Sequence, residues 1–390
     1  MAGINPNLLM AAASPIMEAA GWAAEANYPA NRPLLSFHQA APALPPPEPI
    51  RQRLAEAMMS EPAAHFYGAV LGRDALRDQI ALHWSQRYGG EIERQHVGVT
   101  AGCNQAFCIA VNSVCVPGDA VMLPYPWYFN HKMWLDMCGI DCVPLPCNAN
   151  MLPDTEAAEA LLHDRVRAIV LVTPNNPTGA EYPDALVHRF YDMARAHGAM
   201  LIVDETYRDY HSSAGAPHSL FRRDDWEDVL AHLYSFSKVF RITGHRTGAI
   251  VTGAPRLAEI EKMLDTMTIC PAQPGQIAAQ FGLEHLGDWV ETERAEFRTR
   301  RETLERLFAS ELPEWQVLGT GAYFAWVRPP FGLDSTDLAR RLVPEQSLLV
   351  LPGAMFMPDG QATDALRIAF ANADVNGIAE LVRRLAAFHP

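Results

Sequence analysis

The sequence predicts an α/β protein: a large domain built on a mostly parallel sheet with helices on both faces, followed by a smaller α+β domain. Three observations carry that prediction. At 390 residues the chain is too long for one compact core, so it divides. From about residue 96, short apolar runs alternate with helical patterns, which is how a parallel sheet buried on both faces reads. After about residue 290 the texture changes to one charged amphipathic helix and several short strands.

Taken in order, residues 1–45 form a weakly patterned arm that ends at Pro45-Pro46-Pro47, where proline holds the chain extended. Residues 46–288 form the large domain and 289–390 the small one, which the arm is expected to join. Helical patterning covers Glu48 to Ser60 and Arg73 to Tyr88. His96 to Thr100 reads as a strand, Cys103 to Cys115 as an apolar helix, and Ala120 to Leu123 and Ala168 to Val172 as strands. A helix is expected over Asp184 to His197, with Asp184 as N-cap and Gly198 just past the end. Met200 to Val203, Leu230 to Tyr234 and Gly248 to Thr252 are further buried strands. The C-terminal part reads as a helix over Glu291 to Phe308, then strands at Trp315 to Leu318, Tyr323 to Val327, Leu348 to Leu351 and Leu366 to Phe370. A final helix runs from Val375 to Phe388.

Composition excludes several functions. Hydrophobic residues make up 49 % and charged residues 19 %, a globular balance. The net charge of −14 does not suit a nucleic acid backbone or an anionic membrane surface. No apolar run approaches the ~18 residues of a membrane span. Met1 to Ala13 has no Lys or Arg ahead of its apolar stretch and makes a poor signal peptide. The seven cysteines (Cys103, Cys108, Cys115, Cys138, Cys142, Cys147 and Cys270) are odd in number and match no zinc or redox spacing. Reduced, buried thiols in the cytoplasm are expected. His83, His96, His131 and the remaining histidines are scattered with no His-Glu-x-x-His, so no metal site is expected.

In parallel sheets ligands sit at the carboxyl ends of strands, and Asn176, Asp204 and Lys238 each follow directly on an expected strand. A lysine amine attacks carbonyls and forms Schiff bases when it is neutral, and a nearby cation such as Arg246 favours the neutral form. Asp204, buried at a strand end, needs a partner, and a protonated heterocycle nitrogen would serve. Tyr207 lies three residues on. Gly102, Cys103 and Asn104, between a strand and a helix, offer free backbone N–H groups to a phosphate. Taken singly each of these residues is ordinary: Lys238 and Arg367 read as surface charges, Asn176-Pro177-Thr178-Gly179 as a turn, Tyr128 as core. Order and spacing together set them apart, with Asp204 34 residues before Lys238 and Arg246 eight after it.

The segments Thr173-Pro174-Asn175-Asn176-Pro177-Thr178-Gly179, Val203-Asp204-Glu205-Thr206-Tyr207, Ser235-Phe236-Ser237-Lys238 with Arg246, and Leu366-Arg367-Ile368-Ala369-Phe370 resemble the pyridoxal-phosphate enzymes of fold type I. The resemblance is to the class I/II aminotransferase family, which includes aspartate aminotransferase, and it runs from about Leu34 to Phe388. It implies a seven-stranded main sheet, pyridoxal 5′-phosphate as cofactor, a homodimer, and transfer of an amino group between an amino acid and a 2-oxo acid. By the same resemblance Lys238 bonds the cofactor and shuttles the Cα proton, and Asp204 keeps the pyridine nitrogen protonated. Tyr207 and Asn176 hold the phenolic oxygen. Ser235 and Arg246 join the backbone of Gly102, Cys103 and Asn104 on the phosphate, and Tyr67 reaches the phosphate in the partner subunit. Arg367 grips the substrate carboxylate bidentately. Tyr128 stacks on the ring, with Trp127 as its rival.

Two departures bear on the substrate. Ala40, in Gln39-Ala40-Ala41-Pro42, stands where the family commonly has glycine, and its methyl is expected to narrow the pocket near the substrate carboxylate. The stretch Asp265 to Cys270 lacks the arginine that binds an acidic side chain across the dimer, so a neutral or apolar amino acid is expected. Among rival readings, Ser235-x-x-Lys238 also fits penicillin-binding proteins, but neither Ser-Asp-Asn nor Lys-Thr-Gly is present. An aminotransferase-like transcription regulator would need a DNA-binding domain ahead of the match, where about 40 residues stand. Elimination or cyclisation on the same fold is the alternative reaction.

Overall fold

The computed structural model describes residues 3–213, 215–359 and 361–390. Along the chain the strands are β1 (Leu35–Ser36), β2 (Val97–Thr100), β3 (Ala120–Tyr125), β4 (Asp141–Pro146), β5 (Val166–Val172), β6 (Met200–Asp204), β7 (Leu230–Ser235), β8 (Gly248–Thr252), β9 (Gln316–Gly321), β10 (Phe324–Arg328), β11 (Leu348–Leu349), β12 (Leu351–Pro352) and β13 (Leu366–Ala369). The helices are α1 (Pro6–Met10), α2 (Pro15–Glu25), α3 (Glu48–Ser60), α4 (Asp74–Tyr88), α5 (Cys103–Asn112), α6 (Phe129–Cys138), α7 (Thr155–Leu161), α8 (Asp184–His197), α9 (Trp226–Val229), α10 (Phe236–Val239), α11 (Ala254–Thr268), α12 (Gln273–His285), α13 (Gly287–Glu311), α14 (Ser335–Gln346) and α15 (Val375–Ala386).

The main sheet has seven strands in the order β2-β8-β7-β6-β5-β3-β4. β8 runs antiparallel to both neighbours and the other pairs are parallel. The alternation of side chains along a strand divides each apolar run between two cores. Ile169 and Leu171 of β5 enter one hydrophobic cluster, and Ala168, Val170 and Val172 the cluster on the opposite face. That two-sided burial is why these strands are apolar throughout.

The C-terminal sheet is antiparallel, β12-β13-β10-β9. It shares its own core with α13, α14 and α15 through Phe297, Leu342 and Leu381. The arm joins this domain. β1 pairs with β11 in parallel, and the Phe37 carbonyl accepts from the Ala369 N–H at 2.9 Å. The division expected at 288/289 falls just inside α13.

Several elements differ from expectation. The first 45 residues hold two helices, α1 and α2, each opened by a proline at its first turn. Pro183 rather than Asp184 occupies the N-cap of α8; Asp184 is the first helical residue and its carboxylate accepts from the Ser219 N–H at 2.8 Å. Gly198 does take the left-handed position past the helix end, with φ +72°. The strand expected over Leu348 to Leu351 is broken at Val350, one half pairing with the arm and the other with β13. β4 escaped notice because Pro144 and Pro146 interrupt its pattern; at the edge of the sheet their missing N–H groups cost nothing. No helix among the described residues is long and apolar enough to cross a membrane.

Candidate active site

The carboxyl ends of β5, β6 and β7 lie side by side, because Val172 pairs with Asp204 and Asp204 with Leu233. Over this ledge opens a cavity of about 400 Å³, within the size range of small-molecule sites.

The loop after β5 is shaped by its own side chains. Asn175 Oδ1 accepts from the Thr178 N–H (3.1 Å) and hydroxyl (2.8 Å). Gly179 has φ +76°, and a Cβ there would overlap the backbone of Gly321, so glycine lets the C-terminal sheet close onto this loop. Asn176 is thereby presented to the cavity, and its Oδ1 accepts from Arg367 Nη1 at 3.0 Å.

Arg367, from β13, is 1 % exposed. Its second Nη donates to the His38 carbonyl, and its Nε has no partner. Both acceptors are neutral. Burial pulls the guanidinium down to about 10, against the opposing influence of Tyr207 and Tyr128. A buried cation of this kind is completed by an incoming anion.

Asp204 closes β6. Burial alone would raise its carboxyl, but hydrogen bonding and charge from His131, together with bonds from Thr206, outweigh it and hold the pKa below the ordinary value. The Thr206 N–H (3.0 Å) and hydroxyl (2.7 Å) both donate to Oδ1, and His131 Nε2 lies 3.4 Å from Oδ2. His131 is fixed between Phe107, stacked at 3.8 Å, and Tyr128, edge-on at 5.0 Å.

Lys238 sits on the single turn of α10, capped by Ser235, whose Oγ accepts from the Ser237 N–H at 3.3 Å. Its Nζ donates to the Ala40 carbonyl at 2.7 Å. Burial, then the charges of Arg246 and Arg367, lower its pKa from 10.5 to about 8. At the other end of the cavity α5 begins at Cys103. Gly102 has φ +87°, and a Cβ there would overlap the Arg246 guanidinium. That guanidinium is tied to the Thr243 carbonyl at 2.9 Å and the Ala101 carbonyl at 3.5 Å. A cation above a helix N-terminus makes an anion seat.

Of the residues singled out from the sequence, Cys103, Asn104, Tyr128, Asn176, Asp204, Tyr207, Ser235, Lys238 and Arg246 all line this cavity. Gly102 underlies Arg246, and Arg367 borders the cavity through Asn176. Trp127 does not line it: the side chain is buried in the core behind the sheet. Ala40 departs from expectation, since it packs in the C-terminal core and meets the site through its carbonyl, while Gln39 and Ala41 line the cavity. Tyr67 is 80 % exposed and lies away from the cavity. The neighbouring Gly68 N–H contacts Cys270 Sγ at 3.4 Å, which places the stretch Asp265 to Cys270 beside Tyr67. Sequence reading missed His131 and Thr206.

Among the described residues one cluster has metal-ligand chemistry: the buried Glu205, His218 and His232. Its hydrogen bonds argue against that use. Trp84 Nε1–H donates to His232 Nδ1 (3.2 Å) and the Leu220 N–H to His218 Nδ1 (3.3 Å), so each neutral ring carries its proton on Nε2. Those Nε2 atoms face Glu205 at 2.8 and 3.6 Å, and the Tyr88 hydroxyl donates to it as well. Burial would raise the Glu205 carboxyl, but the surrounding rings and hydroxyl hold it down to about 2. Burial lowers His218 to about 4. The cluster is a caged carboxylate that anchors the end of β6.

A family model described as aminotransferase class I and II matches residues 33–385. The chain belongs to this family. Among curated relatives of this aminotransferase, the aromatic aminotransferase ISS1 of Arabidopsis thaliana is 30 % identical over 353 residues, covering 88 % of this chain and 85 % of its own. The arginine–pyruvate transaminase AruH of Pseudomonas aeruginosa is 30 % identical over 317 residues, 80 % of this chain and 79 % of its own. Among solved structures, aspartate aminotransferase from Thermus thermophilus with maleate superimposes with a TM-score of 0.90 at 22 % identity, over 99 % of this chain and all of that one. YbdL from Escherichia coli, described with a methionine aminotransferase function, also gives 0.90 at 22 % identity over the full length of both chains. These two likenesses show the fold.

Class I/II aminotransferases depend on pyridoxal phosphate, and the cavity fits that group. The seat formed by Gly102, the start of α5 and Arg246 suits a phosphate, and Asp204 suits a protonated ring nitrogen. Lys238 suits the aldehyde. Ser237 Oγ and Arg367 Nε are buried polar atoms without partners at the cavity wall, the condition of a site whose ligands complete it.

Proposed function

We propose that this aminotransferase moves the amino group of an L-amino acid with a neutral or apolar side chain to a 2-oxo acid, by a ping-pong route in which the first product leaves before the second substrate binds. The observation that carries the reading is the allocation of cations. Lys238 and Arg246 line the cavity and Arg367 borders it, and each has a duty: proton transfer, phosphate and α-carboxylate. Among the described lining residues there is no further cation for a side-chain carboxylate. The relatives are mixed, including aromatic and arginine–pyruvate enzymes and an aspartate aminotransferase of Sulfolobus acidocaldarius at 26 % identity. The cation inventory is therefore the stronger guide, and the stretch Asp265 to Cys270, from which a partner's arginine would come, holds none either.

Bound pyridoxal phosphate supplies an electron-withdrawing ring that stabilises the charge left when the Cα proton departs. The chain's residues do the rest. Arg367, with Asn176 beside it, takes the α-carboxylate and holds it in register. Lys238, whose amine pKa is lowered to about 8 in the cofactor-free chain by burial and the charges of Arg246 and Arg367, would take and return the Cα proton. Asp204, held ionised, would sustain a positive charge at the ring nitrogen. Tyr207 and Asn176 would offer their polar groups to the phenolic oxygen, and Tyr128 would cover the ring. Ser235, Arg246 and the N–H groups at the start of α5 would hold the phosphate.

A panel of amino acids, each offered to the loaded enzyme without an acceptor, tests the substrate class. Neutral and apolar amino acids are expected to convert the visible band of the bound cofactor to that of its amine form. Aspartate and glutamate as far the best donors would overturn the substrate reading, and release of ammonia would turn the reaction toward elimination.

We also infer a homodimer in which Tyr67 reaches the partner's phosphate. The support is that Phe66, Tyr67, Met267 and Ile269 are all exposed, on two segments joined by the Gly68–Cys270 contact. Sedimentation as a dimer is expected, with Tyr67→Phe retaining cofactor less tightly. A monomer with full activity would refute this.

A further inference from the structure

α10, the turn that carries Lys238, is four residues long, too short to hold its own shape. Besides the Ser235 cap and the bond from the Phe236 N–H to the Thr247 carbonyl, two ties lead from it to the C-terminal domain. In the first, the Tyr210 hydroxyl donates to the Lys238 carbonyl at 3.0 Å, and the Tyr323 hydroxyl donates to the Tyr210 oxygen at 2.9 Å. Tyr323 lies at the turn between β9 and β10 and is fully buried. Its ring stacks on Phe297 of α13 at 4.5 Å and meets Tyr210 at 4.7 Å and Tyr207 at 5.3 Å.

The second tie is Arg241. Its N–H donates to the same Lys238 carbonyl at 3.3 Å. Its guanidinium pairs with Glu293 of α13, at 3.1 Å from Nε and 2.5 Å from Nη2. Arg241 sits at φ +55°, a left-handed conformation that a long side chain rarely adopts and that persists only where its surroundings enforce it. Glu293 is 8 % exposed, so the pair is shielded from solvent screening.

We propose that Tyr210, Tyr323 and Arg241 are positioning residues that couple the Lys238 turn to the C-terminal domain, so that the placement of the catalytic amine depends on where that domain sits. The domain that supplies Arg367 for the substrate carboxylate thus also sets the amine that must meet the Cα proton. Any displacement of that domain would reach Lys238 through the backbone it anchors, with no contact between substrate and tyrosine. The inference rests on the reading of Lys238 as the catalytic amine, which Lys238→Ala tests separately.

The experiment compares Tyr210→Phe, Tyr323→Phe and the double variant as loaded enzymes. Each removes one hydroxyl and keeps the ring packing, and Arg246 and Arg367, the charges that face Lys238, are untouched. Three readouts are taken: kcat, KM for the amino donor, and the midpoint of the pH titration of the cofactor's visible band. Each single variant is expected to lower kcat about 10-fold with KM held within about twofold, and to move the titration midpoint by about half a pH unit to one. Because the two hydroxyls act in series, the double variant should be no worse than either single. Unchanged kcat and midpoint, a Tyr323→Phe that behaves like the parent, or effects that multiply in the double variant would each overturn the proposal. If Tyr210→Phe fails to fold, Tyr323→Phe carries the same test.

Discussion

Replacing Lys238 with alanine is expected to abolish amino-group transfer, with kcat falling at least about 10⁴-fold, since on the proposed reading one side chain both bonds the cofactor and moves the Cα proton. The visible band of the bound cofactor is expected to lose its pH dependence. An alanine variant with full turnover would remove the foundation of the functional reading. The same side chain makes a second, independent demand. Its amine is half-buried and feels the charges of Arg246 and Arg367, and desolvation followed by those charges lowers its pKa from 10.5 to about 8. Between those pH values the unfolded chain holds a proton that the folded cofactor-free protein has released, so stability rises with pH across the window. Below pH 8 the charged amine costs about 3 kcal/mol, at 1.36 kcal/mol per pH unit. Lys238→Met should therefore stabilise the cofactor-free protein at pH 7 by up to about 3 kcal/mol, offset in part by the lost bond to the Ala40 carbonyl. The gain should shrink at pH 9.5 and vanish above 10.5. Urea unfolding at pH 7 and 9.5 measures it, and a loss of stability at pH 7 would contradict the burial argument.

The second large effect is expected at Asp204. Asn at this position keeps an acceptor for both Thr206 donors and nearly the same volume, so the fold should be retained. It removes the negative charge that sustains a protonated ring nitrogen, and preorganised charge of this kind is worth roughly 10³-fold in rate. The expected outcome for Asp204→Asn is a kcat roughly 10³-fold lower, with circular dichroism and unfolding midpoint close to those of the parent. Because Asp204 is held below the ordinary carboxylate pKa, it stays ionised through neutral pH. Its protonation should not appear as a limb in the activity profile between pH 6 and 8. A variant that retains most of its activity would show that Asp204 is structural, like its neighbour Glu205.

Much of this was legible in the chain because the chemistry is local to strand ends. Asn176, Asp204 and Lys238 each follow an apolar run, and such runs form parallel strands whose carboxyl ends share one edge. Regular spacing therefore becomes spatial proximity without any knowledge of packing. His131 was not legible. It lies 73 residues before Asp204, on α6, and its position opposite the carboxylate depends on how α6 packs against Phe107 of α5. Ala40 shows the same limit in another form. The resemblance assigns it a methyl in the pocket, whereas in the fold that methyl packs in the core and the carbonyl meets Lys238. The strand β4 and the break at Val350 were missed because edge position and a change of pairing partner are properties of the assembled sheets.

The sequence by itself determined the fold class, the family and which side chains gather at one cavity, because hydrophobic periodicity and motif order are written along the chain. Tertiary structure decided what surrounds them: His131 on Asp204, neutral partners for the Arg367 cation, the cage around Glu205, and the ties from the C-terminal domain to the Lys238 turn. Those contacts join segments tens to hundreds of residues apart, and side chains so separated meet only when sheets and helices have packed.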